Sequence, residues 1–181
     1  MDYVIAIPSY KRTDVLRKKT LEMLKRYKIP SNKINIFLAN KTEYDIYNKE
    51  LDPKTYNKLV VGKPGIKNIR NFMSQHFNEG QYIVYLDDDI GKIWECNNDG
   101  DPKDKTTNKL TEINSFSSFV NKAFKLSEKT GFRNWSVYPR DNPFFMKPFQ
   151  HNDHITTDLR FLMGGFHGVI NCKTAEVRTI V

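Results

Sequence analysis

Short apolar runs alternate along the first half of the chain with segments whose apolar residues recur every three or four positions. Tyr3-Val4-Ile5-Ala6-Ile7 is continuous and stops at Pro8-Ser9, as a buried strand of a parallel sheet does. Thr13 or Asp14 is placed to cap a helix with Leu16, Leu21, Leu24 and Tyr27 on its apolar face, ended by Pro30. A second strand is expected over 34–39 and a short helix over 42–48. Leu59-Val60-Val61 forms a brief third strand closed by Gly62. Ile66, Ile69, Met73 and Phe77 fall at helical spacing, with Gly80 as a stop. The clearest strand, Gln81 to Leu86, runs straight into Asp87-Asp88-Asp89.

The second half is less regular. Residues 90–96 read as a strand, and 97–109, which lack apolar residues, as a mobile loop. Ile113, Phe116, Val120, Ala123 and Phe124 trace an amphipathic helix, with Thr111 as N-cap and Gly131 as stop. Trp135 to Tyr138, 159–163 and 166–171 read as strands, the last two around Gly164-Gly165. No internal repeat or linker interrupts the chain, so one domain over 1–181 is expected. The order βαβα followed by mixed elements implies an α/β/α sandwich around a mostly parallel, mixed central sheet. In such sheets ligands bind beyond the carboxyl ends of the strands.

Composition narrows the class. With 181 residues, 39% hydrophobic and 28% charged, the chain suits one globular domain rather than a disordered one. No apolar run approaches the roughly 20 residues of a membrane-spanning helix. The N-terminus lacks the basic and apolar regions of a secretory signal peptide. Two cysteines cannot build a disulfide framework, so a cytoplasmic, reducing compartment is expected. The net charge of +8 invites a nucleic-acid reading. However, 21 lysines against 8 arginines, spread without a like-charge block and accompanied by 17 asparagines, make nucleic acid an unfavoured partner.

The candidate chemistry sits at strand ends. Three adjacent carboxylates repel one another, and their partial burial costs energy unless a cation neutralises them. On extended chain, Asp87 and Asp89 leave on the same side. Oxygen-only donors suit Mg²⁺ or Mn²⁺, with positions left for phosphate and water. The bland alternative is a solvated acidic turn. At the first strand's end, Pro8 and Ser9 turn the chain, Tyr10 offers a stacking ring and Arg12 a fork for phosphate. The alternative there is an ordinary loop with a surface Arg. Asn40 and Glu43 either hydrogen-bond a base or ribose, or cap the next helix. Arg70 borders an apolar stripe and needs an acceptor, met by the Asp cluster or a diphosphate, unless it snorkels to solvent.

Taken together, Gly65-Ile66-Lys67-Asn68-Ile69-Arg70-Asn71, Gly80 and Tyr82 to Asp89 resemble the Gly…Ala-Arg-Asn…Gly…Leu-Asp-x-Asp segment of nucleotide-sugar glycosyltransferases with the GT-A fold. Ile7-Pro8-Ser9-Tyr10-Lys11-Arg12 is similar to their opening motif, and Gly164-Gly165-Phe166 to the glycine turn before their acceptor region. The resemblance is specific over about 3–90 and looser over 135–171. It implies a donor-binding half over about 1–96 and an acceptor-side half over about 110–181. It further implies metal-dependent transfer of a sugar from a nucleoside diphosphate, most commonly UDP, so UDP-glucose or a similar UDP-hexose is the expected donor. Asp89 would ligate Mn²⁺ or Mg²⁺, and Asp87 would face ribose or metal beside Asp88. Pro8, Ser9, Tyr10, Arg12, Asn40 and Glu43 would hold the nucleoside, and Arg70 would brace it or the Asp cluster. The acceptor, whether glycan, protein or small molecule, is not specified.

Two departures stand out. Asn40 occupies the place of the family's Asp after the second strand. Inverting members carry a base beyond the glycine turn, where only Glu176 remains; Asp141, Asp153 and Asp158 are the other carboxylates of this half, and Asp158 is preferred as catalytic base. A truncated chain, a compact variant and a donor-binding pseudoenzyme all fit that ending. A basic nucleic-acid-binding module and a nucleotidyltransferase are further readings, the latter disfavoured because Pro8-Ser9-Tyr10 supplies no Gly-rich loop. His167 is a candidate third metal ligand. His151 and His154 fit a surface loop better than a metal site. Trp94 and Trp135 either stack on a sugar or pack the core.

Overall fold

The computed structural model describes residues 1–98, 100–101, 103–139, 141–146 and 164–175. The expected strand over 159–163 lies outside the described residues, as do Asp158, His151, Asp153, His154 and Glu176.

Four strands form the parallel part of the main sheet: β1 (Tyr3–Ser9), β2 (Ile34–Leu38), β3 (Lys58–Val61) and β4 (Tyr82–Leu86). Two antiparallel strands, β7 (Asn134–Ser136) and β8 (Phe166–Ile170), complete it in the order β3-β2-β1-β4-β8-β7. A separate two-stranded sheet pairs β5 (Trp94–Asn98) with β6 (Asn108–Glu112). The helices are α1 (Thr13–Leu16), α2 (Glu22–Arg26), α3 (Lys41–Glu50), α4 (Ile66–His76) and α5 (Phe116–Thr130). A π-helical turn, Arg17–Leu21, joins α1 to α2.

The sheet is apolar on both sides, which is why its central strands read as continuous apolar runs. Tyr3, Ile5 and Ile7 of β1, with Val84 and Leu86 of β4, pack against Leu16, Leu24, Tyr47, Phe116 and Phe124. Ala6, Phe37, Ile83 and Tyr85 point the other way, onto Ile69, Met73 and Phe77 of the α4 segment. Helices therefore cover both faces, and the expected α/β/α sandwich with a mostly parallel sheet is the observed one. Among the described residues no helix is long and apolar enough to cross a membrane.

Several local expectations change. The stretch over 97–109 is not one loop: it ends β5, adds a 3₁₀ turn and begins β6. Buried Asn98 closes it, donating to the carbonyls of Asp101 and Asp104 and to Asn108 Oδ1. Polar side chains replace the apolar contacts whose absence suggested a loop. Thr111 lies within β6, and Ser115 caps α5 instead, accepting from the Ser118 N–H at 3.2 Å. Gly131 ends that helix in the left-handed region, φ +76°. No side chain caps α1: Arg12 is its N-cap residue, and Thr13 and Asp14 lie inside it. Ile66 is exposed rather than core.

Candidate functional site

Strand order decides what meets what. β2 and β3 step away from β1 on one side, and β4 returns to its other side. The carboxyl ends of β1 and β4 thus face the crevice at the point where the order reverses, the usual ligand position in such sheets. Pro8-Ser9 and Asp87-Asp88-Asp89 come together there, although nearly 80 positions apart.

The acidic segment is not extended throughout. The chain turns at Asp88-Asp89, so Asp88 and Asp89 meet one guanidinium while Asp87 meets another. Asp88 is buried, its Oδ2 accepting from Ser9 Oγ at 2.6 Å and its Oδ1 paired with Arg12 at 3.0 Å. Asp89, with its side chain 40% exposed, takes the other arm of Arg12 at 2.8 Å. Asp87, 39% exposed, pairs with Arg70 at 3.4 Å. Arg70 also donates to the Gly164 carbonyl at 3.1 Å. A Cβ on Gly164 would lie 2.3 Å from that guanidinium, so a side chain there would displace Arg70. The Asp87 N–H donates to the Gly165 carbonyl at 2.8 Å, tying the acidic turn to the glycine turn.

Behind these residues runs a hydrogen-bond chain. The Arg12 N–H donates to the Tyr47 hydroxyl at 3.1 Å. Tyr47 and Ser9 hydroxyls lie 2.7 Å apart, and since Ser9 donates to Asp88, Tyr47 donates to Ser9. Lys11 sits in the left-handed region, φ +54°, a strained place for a non-glycine. Its N–H is held by buried Glu43 at 2.8 Å. Asn40 Oδ1 accepts from the Glu43 N–H at 3.0 Å, so Asn40 caps α3. Tyr10 is half exposed beside this loop.

Burial pushes the Asp88 carboxyl up against the lowering influence of Ser9 and Arg12. Burial also pushes Asp87 up; Arg70 opposes it, while the charges of Asp89 and Asp88 add to it. Asp89 holds Arg12 firmly protonated, helped by Asp88. Three carboxyls thus face two guanidinium groups.

Among the described residues, no three His, Cys, Asp or Glu side chains converge to enclose a metal ion. Mg²⁺-type sites use one or two carboxylates completed by phosphate and water, so such a cage is not required. The donor chemistry fits: oxygen only, two half-exposed carboxyls, and one of them raised by burial and then by its acidic neighbours. His167 is not part of that set. Its ring stacks on Tyr85 at 4.8 Å, and burial, then Arg70, lowers it to about 4. Trp135 is a core residue against Phe119, Phe124 and Phe166. Asp141 is exposed. Cys96 and Cys172 are free thiols.

Sequence reasoning missed Tyr47 and Thr20. An aromatic in a short helix signals core, and a threonine beside two lysines signals solvent. A cleft of about 360 Å³ is lined by Lys63, Asn68, Asn71, Phe72, Gln75 and Ala175. Among the described residues its lining holds no carboxyl, so the chemistry of the acidic corner, not cavity size, identifies the candidate site.

No family model matches the chain, and no curated protein matches its sequence. Among solved structures, mannosyltransferase PcManGT from Pyrobaculum calidifontis, in complex with GDP-Man and Mn²⁺, aligns with a TM-score of 0.49 at 12% identity. The alignment covers 93% of this chain and 44% of that one, so this chain spans less than half that protein's length.

Proposed function

We propose that the chain is a metal-dependent glycosyltransferase, acting on a nucleoside diphosphate sugar with a UDP-hexose as donor class. One observation carries the reading: half-exposed Asp87 and Asp89 flank an inward-locked Asp88 at the adjoining carboxyl ends of β1 and β4. Residues 1–181 are read as one domain, with donor binding in about 1–96.

Asp89 and Asp87 would hold Mn²⁺ or Mg²⁺. When bound, that ion supplies charge to the leaving diphosphate. Arg12, half exposed, is the side chain of the set suited to a phosphate oxygen. Tyr10 offers its ring to the base. Pro8, Ser9, Asn40, Glu43 and Tyr47 shape the loop that presents Tyr10 and Arg12. Asp88 anchors Ser9 and Arg12, and Arg70 braces Asp87 against the glycine turn. Asp158 remains the proposed base, and the acceptor is a glycan, a protein or a small molecule.

Calorimetry and thermal unfolding with UDP and UDP-glucose, with and without Mn²⁺, test this. Ligand at a hundred times its dissociation constant adds about 2.7 kcal/mol of stability. The expected result is Mn²⁺-dependent stabilisation that Asp89→Ala reduces at least about a hundredfold in affinity, since it removes a direct ligand. Equal response of wild type and Asp89→Ala overturns the reading. Transfer or slow hydrolysis of the donor separates an enzyme from a donor-binding pseudoenzyme. Salt-sensitive, metal-indifferent binding of RNA would favour the nucleic-acid module instead.

A further inference from the structure

The stretch from Thr13 to Arg26 contains one irregularity, the π-helical turn Arg17–Leu21. Such turns insert a residue into a helix and recur at functional sites. In a regular helix, adjacent positions point about 100° apart. Here Thr20 and Leu21 are both buried, at 0% and 6% exposure. Leu21 enters the apolar core. Thr20 turns instead to the acidic turn.

The Thr20 hydroxyl donates to the Asp87 carbonyl at 2.8 Å and accepts from the Ile90 N–H at 3.0 Å. Those two backbone groups bracket Asp88-Asp89. One buried hydroxyl, acting as donor and acceptor together, therefore closes the turn that presents the carboxyls. Valine has the same shape and can do neither. No other described side chain bridges both ends of this turn.

We propose that Thr20 is a positioning residue of the cation site: delivered by the π-helical turn, its hydroxyl holds the Asp87–Ile90 backbone so that Asp87 and Asp89 can share one divalent ion. The inference rests on the reading of this corner as a cation and nucleoside diphosphate site. It adds a residue 67 positions from Asp87 in sequence that touches neither ligand.

The test compares wild type, Thr20→Val, Thr20→Ser and Leu24→Ala, the last destabilising the same helical stretch without touching the turn. Mn²⁺ affinity is read by electron paramagnetic resonance of free Mn²⁺, with and without UDP, and thermal midpoints are recorded beside it. Thr20→Val should weaken Mn²⁺ binding about 10–100-fold, the usual effect of removing a partner that orients a ligand. Thr20→Ser should restore it to within about threefold, because it keeps both hydrogen bonds. Leu24→Ala should lower the midpoint and leave Mn²⁺ affinity unchanged. If Thr20→Val fails to fold, Thr20→Ala is read by the same criteria. Wild-type affinity in the valine or alanine variant overturns the inference, and so does a serine variant as weak as the valine one. A wild type that binds no Mn²⁺ with UDP overturns the reading of the corner itself and the inference with it.

Discussion

The centre of the sheet and its β7 end are held together differently. Around β1 and β4, buried polar groups are connected: Arg12, Tyr47, Ser9 and Asp88 form one chain, and Thr20 ties off the acidic turn. Around β7, β8 and α5, contacts are aromatic. Phe116 stacks on Phe166 at 5.6 Å, and Trp135 meets Phe119, Phe124 and Phe166 edge-on. The described buried side-chain atoms without a hydrogen-bond partner, Asn121 Oδ1, Trp135 Nε1 and His167 Nδ1, all lie in this second region. Apolar burial is non-directional and contributes most of the stability. A hydrogen-bond chain adds less energy but fixes direction. The contrast teaches that stability and site geometry are carried by separate parts of one sheet.

The largest expected effect breaks the aromatic side. Phe116→Ala should cost about 3–5 kcal/mol of unfolding free energy in urea titrations, as buried Phe truncations do. The folded fraction should still bind Mn²⁺ and UDP within about twofold of wild type. A parallel loss of affinity would show that the two regions are one unit.

Tyr47→Phe probes the polar side. It deletes one oxygen while keeping the ring in the core, leaving Ser9 and the Arg12 N–H short of a partner. Stability should fall by about 1–2 kcal/mol, but Mn²⁺–UDP affinity should fall several-fold, the reverse ranking to Phe116→Ala. Unchanged affinity would reduce the hydrogen-bond chain to packing.

A pH series gives the sharpest contrast. His167 falls from 6.5 to about 4 in the folded chain, mainly through burial. Between those values the unfolded chain binds more protons, so stability declines as pH drops from 6.5 and levels off below 4. The decline attributable to this ring is at most about 3 kcal/mol. His167→Phe, which keeps a ring on Tyr85, should flatten that part of the profile. An unaltered slope would place the titration elsewhere.

Much of the architecture was legible beforehand because burial imposes period. β1 and β4 are apolar on consecutive positions since both faces are covered, and α4 and α5 carry stripes because one face is. The acidic corner was visible as residue types at strand ends. Where apolar signal is missing, reading failed: the β5–β6 sheet is closed by Asn98 and Asn108, whose hydrogen bonds leave no periodic trace. Asn40 shows the opposite case, since capping and ligand binding draw on the same amide, and the observed bond to the Glu43 N–H establishes capping.

From the chain alone came the α/β class, the order of its central elements and the candidate carboxylates, since these follow from local periodicity and residue chemistry. Partnership came only with three dimensions. That Asp88 turns inward to Ser9 and Arg12, that Tyr47 joins them, and that Thr20 reaches the turn through a π-helical step all depend on which strands lie side by side. Side-chain hydrogen bonds between distant residues are set by that adjacency, and no spacing along a sequence encodes it.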